Sequence, residues 1–234
     1  MNKGCRLAIV GATGEVGRAL LSRLEDMELA LVELHVLATA ASAEETLMYR
    51  QRPLLVEAAD DFDFSRADIV LLATPAAVSR VLAPRALEAG CRVIDHSGAY
   101  RGAAGVPFTH GPAAASAELV AAPSAGAALL RPLLAAAGVV GPLRAVQASL
   151  LSPVSAAGRA GVRELAGQTG ELLNGRGIEP SVFPVQTAFN VLPLVGSPAE
   201  EAEAALRLEL DDVLGEGTAL VLQSVTVPVF YGLT

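Results

Sequence analysis

The first residues along the chain whose types and spacing could do chemistry are Gly11-Ala12-Thr13-Gly14-Glu15-Val16-Gly17. They follow an apolar run, 6–10, and open a segment with Val16, Leu20, Leu21 and Leu24 on one helical stripe. Glycines at such a turn permit a tight bend, let a pyrophosphate approach the backbone, and let the helix close on the sheet. The phosphates then meet unpaired N–H groups at the positive end of the helix. A plain βα turn uses glycine too, so the order strand, loop, helix carries the assignment to a dinucleotide site.

Other reactive side chains are few. Cys5 and Cys91 are the two cysteines, each beside a predicted strand, and read as inert core thiols. Ser124 and Ser152 need an adjacent base to become nucleophiles. Of the three histidines, His96 is the best placed for proton transfer, next to Ser97; His35 and His110 read as structural or solvated. No His, Cys or carboxylate spacing calls for a metal. Asp60-Asp61-Phe62-Asp63 reads as a solvated acidic loop.

A dinucleotide site needs a second element for the ribose, with Asp or Glu about 20 residues on for NAD, at the end of the second strand. Here that end reads Leu37-Ala38-Thr39-Ala40-Ala41-Ser42, with no acid and no base. Thr39 and Ser42 can hydrogen-bond a ribose, but nothing there pairs with a 2′-phosphate. Nucleotide binding is accordingly expected to be weak or lost.

The elements that must hold these residues alternate in a βαβ rhythm. Strands are predicted over 6–10, 32–38, 54–58, 68–74 and 91–95, and helices over 15–27 and 77–89, the latter capped by Gly90. Near-continuous apolar strands separated by helices imply a parallel sheet covered on both faces. Beyond 119–122 the pattern changes to helices over 126–137, 158–173 and 198–214 and strands over 145–152 and 219–231. The last helix carries a strongly acidic face. A terminus so close to a long strand leads to the expectation that a C-terminal part is missing. The α/β class is thus a Rossmann-type doubly wound domain, 1–123, followed by an α+β domain, 124–234.

Composition narrows the partners. With 17 basic against 25 acidic residues, a net charge of −8 and no Trp, the chain is a poor nucleic-acid binder. No uncharged apolar stretch reaches the length of a membrane span. A cleaved leader would destroy the glycine loop, and two cysteines form no disulfide framework, so a cytoplasmic location is expected.

Several segments together resemble the aspartate-semialdehyde dehydrogenase family, above all its Usg-like branch. They are 10–17, 37–43, Ala89-Gly90-Cys91-Arg92-Val93-Ile94-Asp95-His96-Ser97-Gly98-Ala99-Tyr100-Arg101, Ala188-Phe189-Asn190-Val191-Leu192-Pro193 and Val227-Pro228-Val229-Phe230-Tyr231-Gly232. The resemblance implies an NADP site lined by Gly11, Thr13, Gly14, Glu15, Val16, Ala41, Ser42, Thr74, Ser97 and Ser155, with Arg101 on phosphate. It also implies dimerisation through the second domain, as a homodimer or as a hetero-oligomer with an active paralogue.

The family reaction is phosphate-dependent oxidation of aspartate semialdehyde through a cysteine thioester, which needs a low-pKa nucleophile with a base beside it. Its cysteine ends an Asn-Pro-Asn-Cys type turn. This chain reads Ala122-Pro123-Ser124-Ala125-Gly126, so the resemblance puts Ala125 at the nucleophile position. The orienting glutamine position is Ser152 and the histidine base position is Leu233. Ala41-Ser42 stands for the Arg-Ser pair that receives a 2′-phosphate, and Glu200-Glu201-Ala202-Glu203 for a Glu-Glu-x-Lys helix. The resemblance therefore implies a family member without intact catalytic residues; the alternative is a working NADP-dependent dehydrogenase.

Overall fold

Runs of Val, Ile, Leu and Ala with almost no polar interruption can bury every side chain only as strands covered on both faces. The computed structural model describes residues 4–27 and 29–232, which fall into two units, Met1–Pro123 and Ser124–Thr234. The first unit runs β1 (Cys5–Val10), α1 (Glu15–Asp26), β2 (Leu31–Ala38), β3 (Thr46–Tyr49), β4 (Arg52–Ala58), β5 (Ile69–Leu72), α2 (Ala76–Glu88), β6 (Arg92–Asp95) and β7 (Leu119–Ala121). Their sheet has the order β3-β4-β2-β1-β5-β6-β7. All neighbours are parallel except β3, which is antiparallel to β4.

Alternate side chains of the strands supply two cores. Leu7, Ile9, Val36 and Leu71 pack with Leu21 and Leu24 of α1, while Val10, Leu37, Val70, Leu72 and Val93 pack with Leu82 and Ala86 of α2. Gly90, at φ +83°, ends α2 in the left-handed conformation that a helix C-terminus favours.

The second unit contains α3 (Ala125–Val140), β8 (Ala145–Pro153), α4 (Gly158–Leu173), β9 (Leu192–Pro193), α5 (Ser197–Leu214) and β10 (Ala219–Val227). β10 pairs parallel to β8 in unbroken register from Ala219 with Ala145 to Val227 with Pro153, and antiparallel to β9. One sheet face, with Val146, Leu150, Leu220 and Leu222, packs on Ala127 and Leu134 of α3 and on Leu206 and Leu210 of α5. The other face, carrying Gln147, Ser149, Leu151, Val221 and Gln223, is exposed.

Three elements differ from expectation, among them β9, which no predicted strand covers. β3 was not predicted, because its link to β4 is Arg50-Gln51 at φ +47° and +63°, a tight hairpin turn made without glycine or asparagine. The final strand stops at Val227 rather than at 231, where Pro228 has no N–H to continue the pairing. Among the described residues no helix is long and apolar enough to cross a membrane.

Candidate functional site

In the first unit the chain leaves β1 toward β2 on one side and has β5 on the other. This reversal of strand order opens a crevice at the C-terminal ends of the parallel strands, where doubly wound sheets take their ligands. The glycine loop lies there. Gly11 sits at φ +85°, and a Cβ on it would come within 2.4 Å of the Ala73 carbonyl oxygen beyond β5. A Cβ on Gly17 would lie 2.2 Å from the Gly11 oxygen, so only glycine lets α1 close onto its own loop. The Gly11 and Ala12 N–H groups donate to the Leu37 carbonyl at 2.8 and 3.0 Å, tying the loop to the end of β2. Gly14 is the N-cap of α1 and offers no side-chain acceptor. The first-turn N–H groups, Glu15 and Val16 among them, are thus left for an outside acceptor.

The neighbouring turns carry the other candidates. Arg18 Nε donates to the Thr13 carbonyl at 3.0 Å. The Thr74 hydroxyl shares a 2.8 Å hydrogen bond with that of buried Ser79. Ala41 and Ser42 lie in a single 3-10 turn, Ala40–Ser42, directly after β2. After β6, fully buried Asp95 accepts from the Ser97 N–H at 3.0 Å, from its hydroxyl, and from the Tyr100 N–H at 3.2 Å. That carboxylate shapes the turn holding Ser97. Arg101 donates through Nε to the Ala122 carbonyl at 2.9 Å and through Nη2 to the His96 carbonyl at 3.5 Å. Nine of the ten cofactor candidates accordingly belong to the first unit, on the turns that follow β1, β2, β5 and β6 or, for Glu15 and Val16, at the start of α1. The tenth, Ser155, belongs to the second unit, in the 3-10 turn Val154–Ala157.

The remaining titratable candidates are structural. Burial pulls the pKa of His96 below the usual imidazole value; the Asp95 charge opposes this and that of Arg101 adds to it. His35 lies between Glu33 and Glu57 at 3.2 and 3.3 Å and against the Phe62 ring. His110 stacks on Phe108. Burial raises both thiol pKa values most, and Cys91 points its sulfur at the Phe64 and Ala67 carbonyls. A shallow cavity of about 670 Å³, lined by Cys5, Arg6, Asp68 and Arg92, lies at the opposite edge of the sheet from the glycine loop. Among the described residues no group of three or more His, Cys, Asp or Glu could hold a metal ion.

In the second unit Ala125 is the first residue of α3 and Ser124 its N-cap. The Ser124 hydroxyl is used as the cap, accepting from the Ala127 N–H at 3.2 Å. Glu209 of α5, only 4% exposed, accepts the Ser124 N–H at 2.5 Å. Sequence reasoning missed this carboxylate by assigning α5 one acidic exposed face. Its spacing three residues after Leu206 and beside Leu210 places it on the buried stripe. Glu203 is likewise engaged, accepting the Leu222 N–H at 2.9 Å. Ser152 is half-buried near the end of β8, opposite Thr226. Leu233 lies outside the described residues.

Comparison with known proteins agrees with this arrangement. Residues 6–139 match the NAD-binding domain of semialdehyde dehydrogenases and 130–234 match their dimerisation domain. A USG-1 protein homolog of Pseudomonas aeruginosa is 38% identical across 99% of this chain and 72% of its own length. An aspartate-semialdehyde dehydrogenase of Legionella pneumophila is 32% identical across 99% of the chain and 70% of its own length. Among solved structures, aspartate semialdehyde dehydrogenase II from Vibrio cholerae, in complex with ASA, superposes with a TM-score of 0.86 at 30% identity, covering 98% of this chain and 72% of that one. The chain belongs to the semialdehyde dehydrogenase family.

Proposed function

We propose that this chain is a semialdehyde dehydrogenase homologue that has lost thioester chemistry and retains a dinucleotide-binding unit and a self-association unit, split at residues 123 and 124. The observation that carries this is the opening of α3. Ala125 occupies the nucleophile position implied by resemblance, and its methyl group cannot attack a carbonyl. The adjacent Ser124 hydroxyl and N–H are both committed, to Ala127 and Glu209. Ser152 carries no amide to orient a substrate. Neither cysteine is a ready substitute, since burial raises both thiol pKa values and the Cys91 sulfur is turned to the Phe64 and Ala67 carbonyls.

A dinucleotide would place its pyrophosphate against Gly11, Thr13, Gly14, Glu15 and Val16, where the glycines admit it and α1 offers open N–H groups. Thr74 and Ser97 would line the remainder within the first unit, with Ala41 and Ser42 near the ribose and Arg101 toward a phosphate or substrate anion. A bound nicotinamide cofactor supplies a hydride acceptor, but this chain provides no nucleophile to prepare an acyl group for transfer. Self-association as a homodimer is supported by the match to a dimerisation domain and by the uncovered β8–β10 face.

The competing reading, a working NADP- and phosphate-dependent dehydrogenase, is favoured by the similarity to relatives bearing that name. The decisive experiment follows reduction of NAD and NADP with aspartate semialdehyde and phosphate, beside an active relative. We expect no turnover above background while the control is active. Phosphate-dependent turnover retained by the purified chain would overturn the proposal and point to an unforeseen nucleophile.

A further inference from the structure

The residues around the second-strand end assign a preference to the nucleotide site. We propose that the first unit selects a dinucleotide with a free ribose 2′-hydroxyl over one carrying a 2′-phosphate; this rests on the dinucleotide-site reading above. In doubly wound sheets the ribose next to the glycine loop meets the end of the second strand. Here β2 ends at Ala38, and its parallel neighbour β4 ends in register with it at Ala58. The Ala59 N–H donates to the Ala38 carbonyl at 2.8 Å, so the chain after β4 leaves the same edge as the chain after β2. That places Asp60 and Asp61, both exposed, beside the turn that carries Ala41 and Ser42.

The chain after this turn then folds back. The Glu44 N–H donates to the Val56 carbonyl at 3.0 Å and the Val56 N–H to the Glu45 carbonyl at 2.9 Å, bringing two more exposed acids alongside β4. Glu44 adopts φ +72°, a left-handed conformation unfavourable to its side chain and held by that pairing. Glu44, Glu45, Asp60 and Asp61 thus all leave the backbone near the C-terminal ends of β2 and β4.

Cations nearby are held in other contacts. Arg66 pairs with Glu57 at 2.7 Å and covers the Phe62 ring. Arg85 donates to the Asp60 carbonyl and covers Phe64. Arg18 is turned to the Thr13 carbonyl. The turn itself offers only the hydroxyls of Thr39 and Ser42, which suit a ribose. A 2′-phosphate adds about −1.5 to −2 charges to this acidic edge, where the turn itself carries no cation and the nearest guanidinium groups are directed to other acceptors. The resulting repulsion is long-ranged and must weaken with salt.

Calorimetric titration of the intact protein with NAD and with NADP tests this at about 0.01 M and about 0.15 M salt, where the screening length falls from about 30 to about 8 Å. NAD is expected to bind at least about tenfold tighter at the lower salt, with the gap narrowing at the higher. The double variant Glu44→Gln, Asp60→Asn should narrow the gap at low salt by raising NADP affinity. NADP binding as tightly as NAD, or a gap indifferent to salt and to the double variant, overturns the selectivity while leaving the dinucleotide site intact. Absence of binding by either nucleotide overturns the dinucleotide reading itself and the selectivity with it.

Discussion

Two helices of this chain, α1 and α3, begin shortly after a strand of the same sheet, β1 and β7, and both are preceded by small residues, yet their first turns are used in opposite ways. At α1 the N-cap is Gly14, no side chain caps it, and the loop before it is kept low by glycines. The positive end of that helix stays available to an anion from outside. At α3 the N-cap is Ser124, whose hydroxyl satisfies the Ala127 N–H and whose own N–H is satisfied by Glu209 from α5. The second arrangement does within the fold what a capping box does within one helix. A helix start that is left open reads as a binding element, and one that is closed by the chain's own carboxylate reads as structure. The two helix starts thus differ in kind: the turn before α1 leaves its N–H groups open, whereas the turn before α3 is filled from inside.

The strongest way to break this contrast is to deny α1 its close approach. Gly17→Ala would put a methyl group 2.2 Å from the Gly11 oxygen and 2.6 Å from the Ala12 Cα, both backbone atoms with little freedom to move. We expect a loss of about 3 kcal/mol in stability, at the upper end of overpacking costs, and loss of nucleotide binding. Chemical denaturation and nucleotide titration check both. A variant as stable as the parent would show that the loop yields easily, and the argument for a preformed site would fail.

The next effect is at α3. Glu209→Ala removes the acceptor from Ser124 and leaves a buried N–H without its partner, which costs about 2 kcal/mol. Glu209→Gln keeps the shape and an acceptor oxygen and should recover most of this. Thermal or denaturant melts of the pair decide the matter. If both variants match the parent, Glu209 is incidental and the closed first turn of α3 is not held by it.

How much of this was legible beforehand varies with the range of the interaction. The parallel sheet and the five helices follow from apolar periodicity, which is a local property, although of the stripe expected on α1 Leu21 and Leu24 are buried while Val16 is exposed. Glu209 was misjudged because an acid on an apolar stripe looks like the end of a solvated face until its partner on α3 is known. β3 escaped because Arg50-Gln51 carries none of the usual residues of a two-residue hairpin turn, although both adopt positive φ. That the turns after β2 and β4 leave the sheet side by side depends on these strands being neighbours, and no spacing within either segment announces that. The residues of the glycine loop could be named in advance; the acids that follow β4 next to the turn after β2 could not.

The same filling from inside recurs in the second unit at α4, with a smaller expected effect and a distinctive pH dependence. Gln168 accepts the Thr187 and Ala188 N–H groups at 2.8 and 3.0 Å, and Glu164, one turn earlier, accepts the Ser181 hydroxyl and the N–H groups of Ser181, Val182 and Phe183. Burial works to raise the Glu164 pKa, but the Ser181 hydroxyl and these N–H donors outweigh it, and the carboxyl titrates below its ordinary range. The folded pKa lies below the unfolded one, so this stabilisation is complete above the unfolded value of about 4.3 and is lost as pH falls through the folded value. Glu164→Gln should cost about 1 kcal/mol at neutral pH, a modest figure because most of these hydrogen bonds are exposed and screened by solvent. The gap between parent and variant should close as the medium is acidified below the unfolded value. Melts from pH 7 to pH 3 follow it, and a gap that stays constant would mean that the shape of the side chain, rather than its charge, holds the 181–188 segment in place.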